Sequence, residues 1–255
     1  MKKYLLAAAV SLSTMAPVAQ ADTILGLYIG AEGWQADSQG SFSNSGSMQE
    51  FNFEDETFTS YYAALEHPVP LVPNIKLKYT ELELNGSALL SDGFTFGDET
   101  FKVDTTAMTA ADLTHIDYVL YYEIFDNDLV SIDLGLSAKQ FDGEITVAGD
   151  AQSSDAMETV TVEYSGFVPL AYARGEVGLP FTGLSVFAEG SMLALDDSSV
   201  HDYQVGVQWE FIDNMAVDVA VRAGYRSMLI ELDDIDDIST DLDVSGPFAG
   251  IQVHF

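Results

Sequence analysis

Cysteine is absent from all 255 residues. That removes a disulfide framework, a lipid-anchoring thiol and thiolate chemistry together. Long apolar runs are missing as well. Past the first 21 residues nothing approaches the roughly 18 apolar residues that a membrane-spanning helix needs, and 3.6-residue periodicity is scarce. Basic side chains are few, nine against 41 acidic, and a formal charge of −32 excludes the electrostatic footprint of a nucleic-acid binder. Phosphate loops, nucleophile elbows and Cys/His clusters do not occur, so no cofactor and no metal centre is expected. No Pro/Gly/Ser-rich linker divides the chain, which favours one domain.

What is present begins with an export address. Lys2 and Lys3 precede an apolar stretch from Tyr4 to Val10 and the small-residue site Ala19-Gln20-Ala21. This is the pattern of a secretory signal peptide, with residues 1–21 removed and 22–255 as the mature chain. Seven basic residues then face all 41 acidic ones. Such an excess repels itself unless it is spread over solvated segments or screened by cations.

Period-two alternation recurs along the mature chain. Val130, Ile132, Leu134, Leu136 and Ala138 alternate with polar or small residues, as do Val217, Val219, Val221, Ala223 and Tyr225. These are strands with one apolar and one polar face. The same pattern predicts about ten strands, near 24–36, 57–67, 74–85, 113–124, 129–141, 166–178, 183–194, 202–211, 215–227 and 246–255. Each is close to the 9–11 residues with which a tilted strand crosses a bilayer. The connections predicted at one end are short: 67–73, 126–128, 179–182 and 212–214. Those at the other end, 37–56, 86–112, 142–165, 195–201 and 228–245, are mostly long. This asymmetry belongs to a transmembrane antiparallel up-and-down β-barrel, all-β, with ten strands preferred over eight or twelve.

A soluble sandwich would alternate in the same way, so the placement of charge decides. Lys76, Lys78, Lys139, Arg174, Arg222 and Arg226 lie on polar faces of predicted strands, and only Lys102 lies in a loop. Glu32, Glu66, Asp117, Glu123, Asp133, Glu176, Glu189, Glu210 and Asp218 share those faces. Opposite charges gathered inside a small barrel form a paired network, with the apolar side chains turned to lipid. For the strand holding Arg174 and Glu176 this register also turns Leu170 and Tyr172 inward. Tyr61, Tyr118, Tyr122, Tyr203, Trp209, Phe211, Tyr225 and Phe255 fall on the outward faces, as an interfacial girdle would. Gly26, Gly30, Gly135 and Gly206 read as curvature or lumen-packing positions.

The last strand alternates Ala249, Ile251, Val253 and Phe255 with Gly250, Gln252 and His254. Here the chain resembles bacterial outer-membrane β-barrels, and the resemblance implies that Phe255 is read by the barrel-assembly machinery. Asp22–Tyr28, the turn His67–Asn74 leading into Ile75–Tyr79, and Gly178–Gly183 resemble a family of small outer-membrane barrels of gammaproteobacteria. That likeness implies location and architecture but no activity.

Candidate chemistry is sparse. His115 and Asp117 share a face near the extracellular end of a strand, as a general base with an orienting carboxylate would, but no second dyad accompanies them. A polar lumen pair is the favoured reading. His201, beside Asp196, Asp197 and Asp202, is expected at a solvated outer turn, with a metal as the alternative. Glu231–Asp243 is the most acidic stretch, expected as a solvated loop without the glycine spacing of a calcium loop. His67 and His254 carry no motif. The expectation is a monomeric, non-enzymatic protein of the cell outer membrane, structural or narrow-pored, in contact with lipid and lipopolysaccharide. A rim hydrolase, or an adhesin or divalent-ion module using the acidic loops, are the alternatives.

Overall fold

The computed structural model describes residues 25–43, 48–127, 129–154, 156–195, 198–214, 217–235 and 238–255. The expected signal peptide at 1–21 lies outside them, as do Asp196 and Asp197. In chain order the strands are β1 (Gly26–Ser43), β2 (Gln49–Phe53), β3 (Glu56–Glu66), β4 (Asn74–Thr80), β5 (Glu83–Leu89), β6 (Phe94–Phe96), β7 (Glu99–Phe101), β8 (Thr106–Asp112), β9 (His115–Asp126), β10 (Val130–Asp150), β11 (Met157–Leu179), β12 (Leu184–Leu195), β13 (Ser198–Ile212), β14 (Asp218–Ile235) and β15 (Ile238–His254).

Ten of these close into an antiparallel ring, in the order β1, β3, β4, β9, β10, β11, β12, β13, β14, β15 and back to β1. A closed ring leaves no backbone donor facing hydrocarbon. Three of the ten wall strands are broken at one height, and β2, β5 and β8 continue β3, β4 and β9 upward, pairing in the order β1, β2, β5, β8, β10. Backbone bonds carry the ladder through the breaks: Glu54 N to Asn85 O (2.8 Å), Glu81 N to Thr59 O (3.0 Å) and Leu113 N to Leu82 O (2.7 Å).

The strands are longer than the alternation suggests, and most of the expected outer loops are wall. On the outer face of β1, Leu27, Ile29 and Ala31 give way to Gln35, Asp37 and Gln39; on β10, Ile132, Leu134 and Leu136 give way to Gln140, Asp142 and Glu144. The inner face changes in the opposite sense at the same level. Lys76, Lys78 and Thr80 are followed by Leu82, Leu84 and Ala88, and Arg222 and Arg226 by Met228 and Ile230. The lower half is apolar outside and charged inside; the upper half is apolar inside and polar outside. Each half suits its solvent, hydrocarbon below and water above.

The upper core is filled by a β-hairpin. β6 and β7 fold inward, and Phe94, Phe96 and Phe101 stack among Phe42 and Phe51, with Phe42–Phe51 centroids 4.6 Å apart. Gly97, at φ 56°, turns this hairpin where a Cβ would lie 2.7 Å from Val160 Cγ1.

At the lower end two irregularities widen the apolar exterior. The register shifts beside Ile124 and Phe211 turn consecutive residues outward together, Ile124 with Phe125 and Phe211 with Ile212. All eight expected girdle aromatics are exposed on the outer wall. Gly30 is an inward position that a side chain would fill, since its Cβ would lie 2.2 Å from the Tyr62 ring. The inward turn of Leu170 and Tyr172 is found as expected, and Leu170 belongs to the upper core.

Two substitutions separate the halves. Phe96→Ala should destabilise the folded protein by about 3–5 kcal/mol through the cavity it leaves. Leu134→Arg, in the outer apolar band, should cost about 2–4 kcal/mol in lipid vesicles. Denaturant unfolding of the reconstituted protein checks both, and a neutral Leu134→Arg would place that band outside the hydrocarbon.

Candidate functional site

Strand parity gathers the wall's cations inside. Lys76, Lys78, Lys139, Arg174, Arg222 and Arg226 all point into the lumen, as the sequence pattern predicts. Each meets a carboxylate, because a buried charge without a partner is costly.

The uppermost pair of cations shares one anion. Asp202 Oδ2 lies 2.9 Å from Lys139 Nζ and 2.8 Å from Arg226 Nη2, and Arg226 Nε donates to Asp202 Oδ1 at 3.0 Å. Lys139 also reaches Asp117 at 2.9 Å, and Arg226 donates to Ser60 Oγ at 3.2 Å while lying 4.5 Å over the Trp34 ring. Below this, Glu32 takes Lys78 (3.2 Å) and Arg222 (3.1 Å). Glu189 pairs with Lys76 and accepts from the Tyr172 hydroxyl (3.0 Å) and Gln204 Nε2 (3.3 Å). Arg222 donates to Tyr62 Oη at 2.7 Å, Tyr62 donates to Gln252 Oε1 at 2.8 Å, and the guanidinium lies 4.2 Å over Phe187.

Toward the short-turn end Arg174 pairs with Glu176 and stands 3.7 Å from Asp133. Glu66, Glu123, Glu210 and Asp218 add carboxylates at this end, and the one lysine or arginine left among the described residues, Lys102, lies between β7 and β8. Tyr121 donates to Glu66 (2.8 Å), Asn74 to Glu123 (3.4 Å), and His254 lies 3.2 Å from Asp218 while stacking on Tyr28. The lower mouth is therefore acidic.

His115 and Asp117 do share a face, but they do not form a dyad. His115 Nε2 is 3.8 Å from Asp117 Oδ2, its Nδ1 meets Leu113 O at 2.9 Å, and Asp117 is engaged by Lys139. The imidazole is 1% exposed and packs against Phe141 beneath the apolar core. His115, Asp117 and Asp202 bring ligand atoms within 4.8 Å of one another, yet ammonium and guanidinium groups already hold both carboxylates. Glu210, Asp213 and Asp218 form a second such cluster at the lower rim.

The expected grouping of His201 with Asp202 at an outer turn is corrected. Both lie in β13, where parity turns His201 outward with Tyr203 and Asp202 inward with Gln204. Asp202 is the anion that sequence reasoning missed; its spacing of two from Gln204 was the signal. In the stretch 231–243 the expected loop is corrected for the described residues, 231–235 and 238–243, which are paired strand ends. Glu231 lies opposite Asp241, and Asp241 and Asp243 face outward, while the side chains of 232–238 lie outside the described residues. His67 holds its own turn, accepting from Val69 N at 3.2 Å.

A cavity of about 40 Å³ lies between Lys78, Asp117, Glu189 and Asp202, room for a few waters.

No family model matches the chain, and no curated protein matches it. Among solved structures it is similar to the outer membrane protease OmpT from Escherichia coli, at 7% identity over 93% of this chain and 99% of that one, with a TM-score of 0.46. It is also similar to the translocator domain of the autotransporter NalP from Neisseria meningitidis (12% identity, 98% and 94% covered, TM-score 0.41). A third is Neisserial surface protein A, at 14% identity, 90% and 97% covered, and a TM-score of 0.31. Likeness at these scores says nothing of activity.

Asp202→Ala leaves Arg226 buried without a carboxylate and Lys139 with half its partners. The expected loss is about 3–5 kcal/mol of stability, read from the shift in the urea midpoint of protein folded in lipid vesicles. A loss under 1 kcal/mol would mean that water already screens the pair.

Proposed function

We propose that this protein is an integral outer-membrane β-barrel with a closed lumen, structural in role and non-conducting, which presents a rigid β-walled extension to the outside. The observation that carries the proposal is the filled interior: a cross-linked ion-pair network under an apolar core plugged by β6 and β7. Small barrels commonly fill their interior with side chains, and neither layer offers an ion a continuous hydrated path. The location rests on the inverted distribution of polarity in the lower wall. The resemblance to small gammaproteobacterial barrels in the turns 67–74 and 178–183 agrees with it.

On this reading the protein acts as a monomer, its apolar band meets lipid and its upper rim meets lipopolysaccharide. His115 and Asp117 serve the lumen network and no hydrolysis. The alternative of a narrow pore is favoured only at the acidic lower mouth, which narrows into the paired cations.

Planar-bilayer recording tests the reading. The folded protein should show no conductance steps in molar salt. Reproducible single-channel steps that persist after repurification would overturn the closed lumen.

A further inference from the structure

The wall is continuous around the lower ring but not above it. β11 pairs with β10 along its whole length, from Met157 opposite Asp150 to Val177 opposite Val130. On its other side it pairs with β12 only from Ala171, opposite Met192, to Leu179. From Met157 to Leu170 that second edge has no strand partner among the described residues. Burial tells the same story. On β10 the inward Ile145 and Val147 are buried, whereas Val162 and Val160, directly opposite them on β11, are only partly buried against the same core.

We propose that the free edge of β11, from Met157 to Ser165, is a docking edge for an extended, basic segment of a partner protein, which adds to the sheet as one more strand. The proposal rests on the reading that this extension stands in water. An unpaired strand edge offers a row of amide donors and carbonyl acceptors, and that row recognises another strand whatever its side chains. Side chains then set which strand fits. Those facing the interior, Val160 and Val162, call for apolar residues at alternate positions. Facing outward, Glu163 stands directly opposite Glu144, both exposed. Like charges opposed across a ladder are unfavourable, and a cation on an added strand relieves them. A second copy of this chain would bring a further Glu163 to the same edge, so charge selects a basic partner instead. Pro169, with no amide hydrogen to offer, marks the lower limit of such pairing.

The probe is a fluorescein-labelled nine-residue peptide alternating lysine and valine, titrated by anisotropy onto the protein folded in uncharged detergent. Binding in the micromolar range is expected, with hydrogen exchange slowed at amides of 157–165. Two further peptides, each N-methylated at one alternate set of amides, separate strand addition from charge attraction. One of them should bind at least about tenfold more weakly, since its methyl groups replace the donors facing β11. E144K/E163K should weaken the unmodified peptide similarly. Equal binding of all three peptides, no protection at 157–165, or no binding would overturn the proposal, as would self-association through this edge. The peptide comparison uses the unaltered protein, so it stands even where the double variant fails to fold. Conductance on the same preparation tests the closed lumen separately.

Discussion

Six cationic side chains sit inside a wall whose outer face is hydrocarbon-like, and their neutralisation is the constraint on which the rest depends. The pairs act as transverse ties, because most join strands that are not neighbours. Lys76 of β4 reaches Glu189 of β12, Lys139 of β10 reaches Asp202 of β13, and Arg226 of β14 reaches Ser60 of β3. Backbone ladders close the circumference; these ties fix the cross-section. The desolvation cost of each ion is offset only when its partner strand is already in the ring, so closure and neutralisation are one event.

The same chain solves the opposite problem a few residues higher. Above the level of Trp34, Leu82 and Phe141 the surroundings are water, and the interior becomes an ordinary apolar core with the β6–β7 hairpin as its filling. The strands run on without a change of parity, and only the identity of the favoured face changes. The breaks at Glu54–Asp55, Glu81–Leu82 and Leu113–Thr114 fall near this transition, where three neighbouring strands bend together.

That reversal explains which parts of the fold were legible in the sequence. Alternation identifies a strand by apolar residues on one parity, and the expected strand ends at 36, 141 and 227 fall where apolar residues move to the other parity. The membrane-crossing lengths, the ring of ten and the inward lysines and arginines followed directly. The extensions did not, since Gln35–Gln39 or Gln140–Glu144 read as polar loop once their outer residues are hydrophilic. Asp202 was hidden for a similar reason: next to Asp196, Asp197 and His201 it looks like part of an acidic turn, and only its register with Gln204 and Arg226 places it in the lumen. The β6–β7 plug lay within what reads as a long loop, although Phe94, Phe96 and Phe101 are three aromatics that a solvated loop has little reason to hold.

The reversal on the outer wall also sets how deep the barrel floats. Asp37, Glu81, Asp142 and Asp243 are exposed on the outer wall, above its apolar band. Sinking the barrel by two residues along its strands, about 6–7 Å, would drag this collar of carboxylates into hydrocarbon. Raising it would strip lipid from Tyr122, Trp209 and Phe211 below. Draught and tilt are thus set by side chains on the outer wall, and a tilted barrel would submerge the collar on one flank while lifting the aromatics on the other.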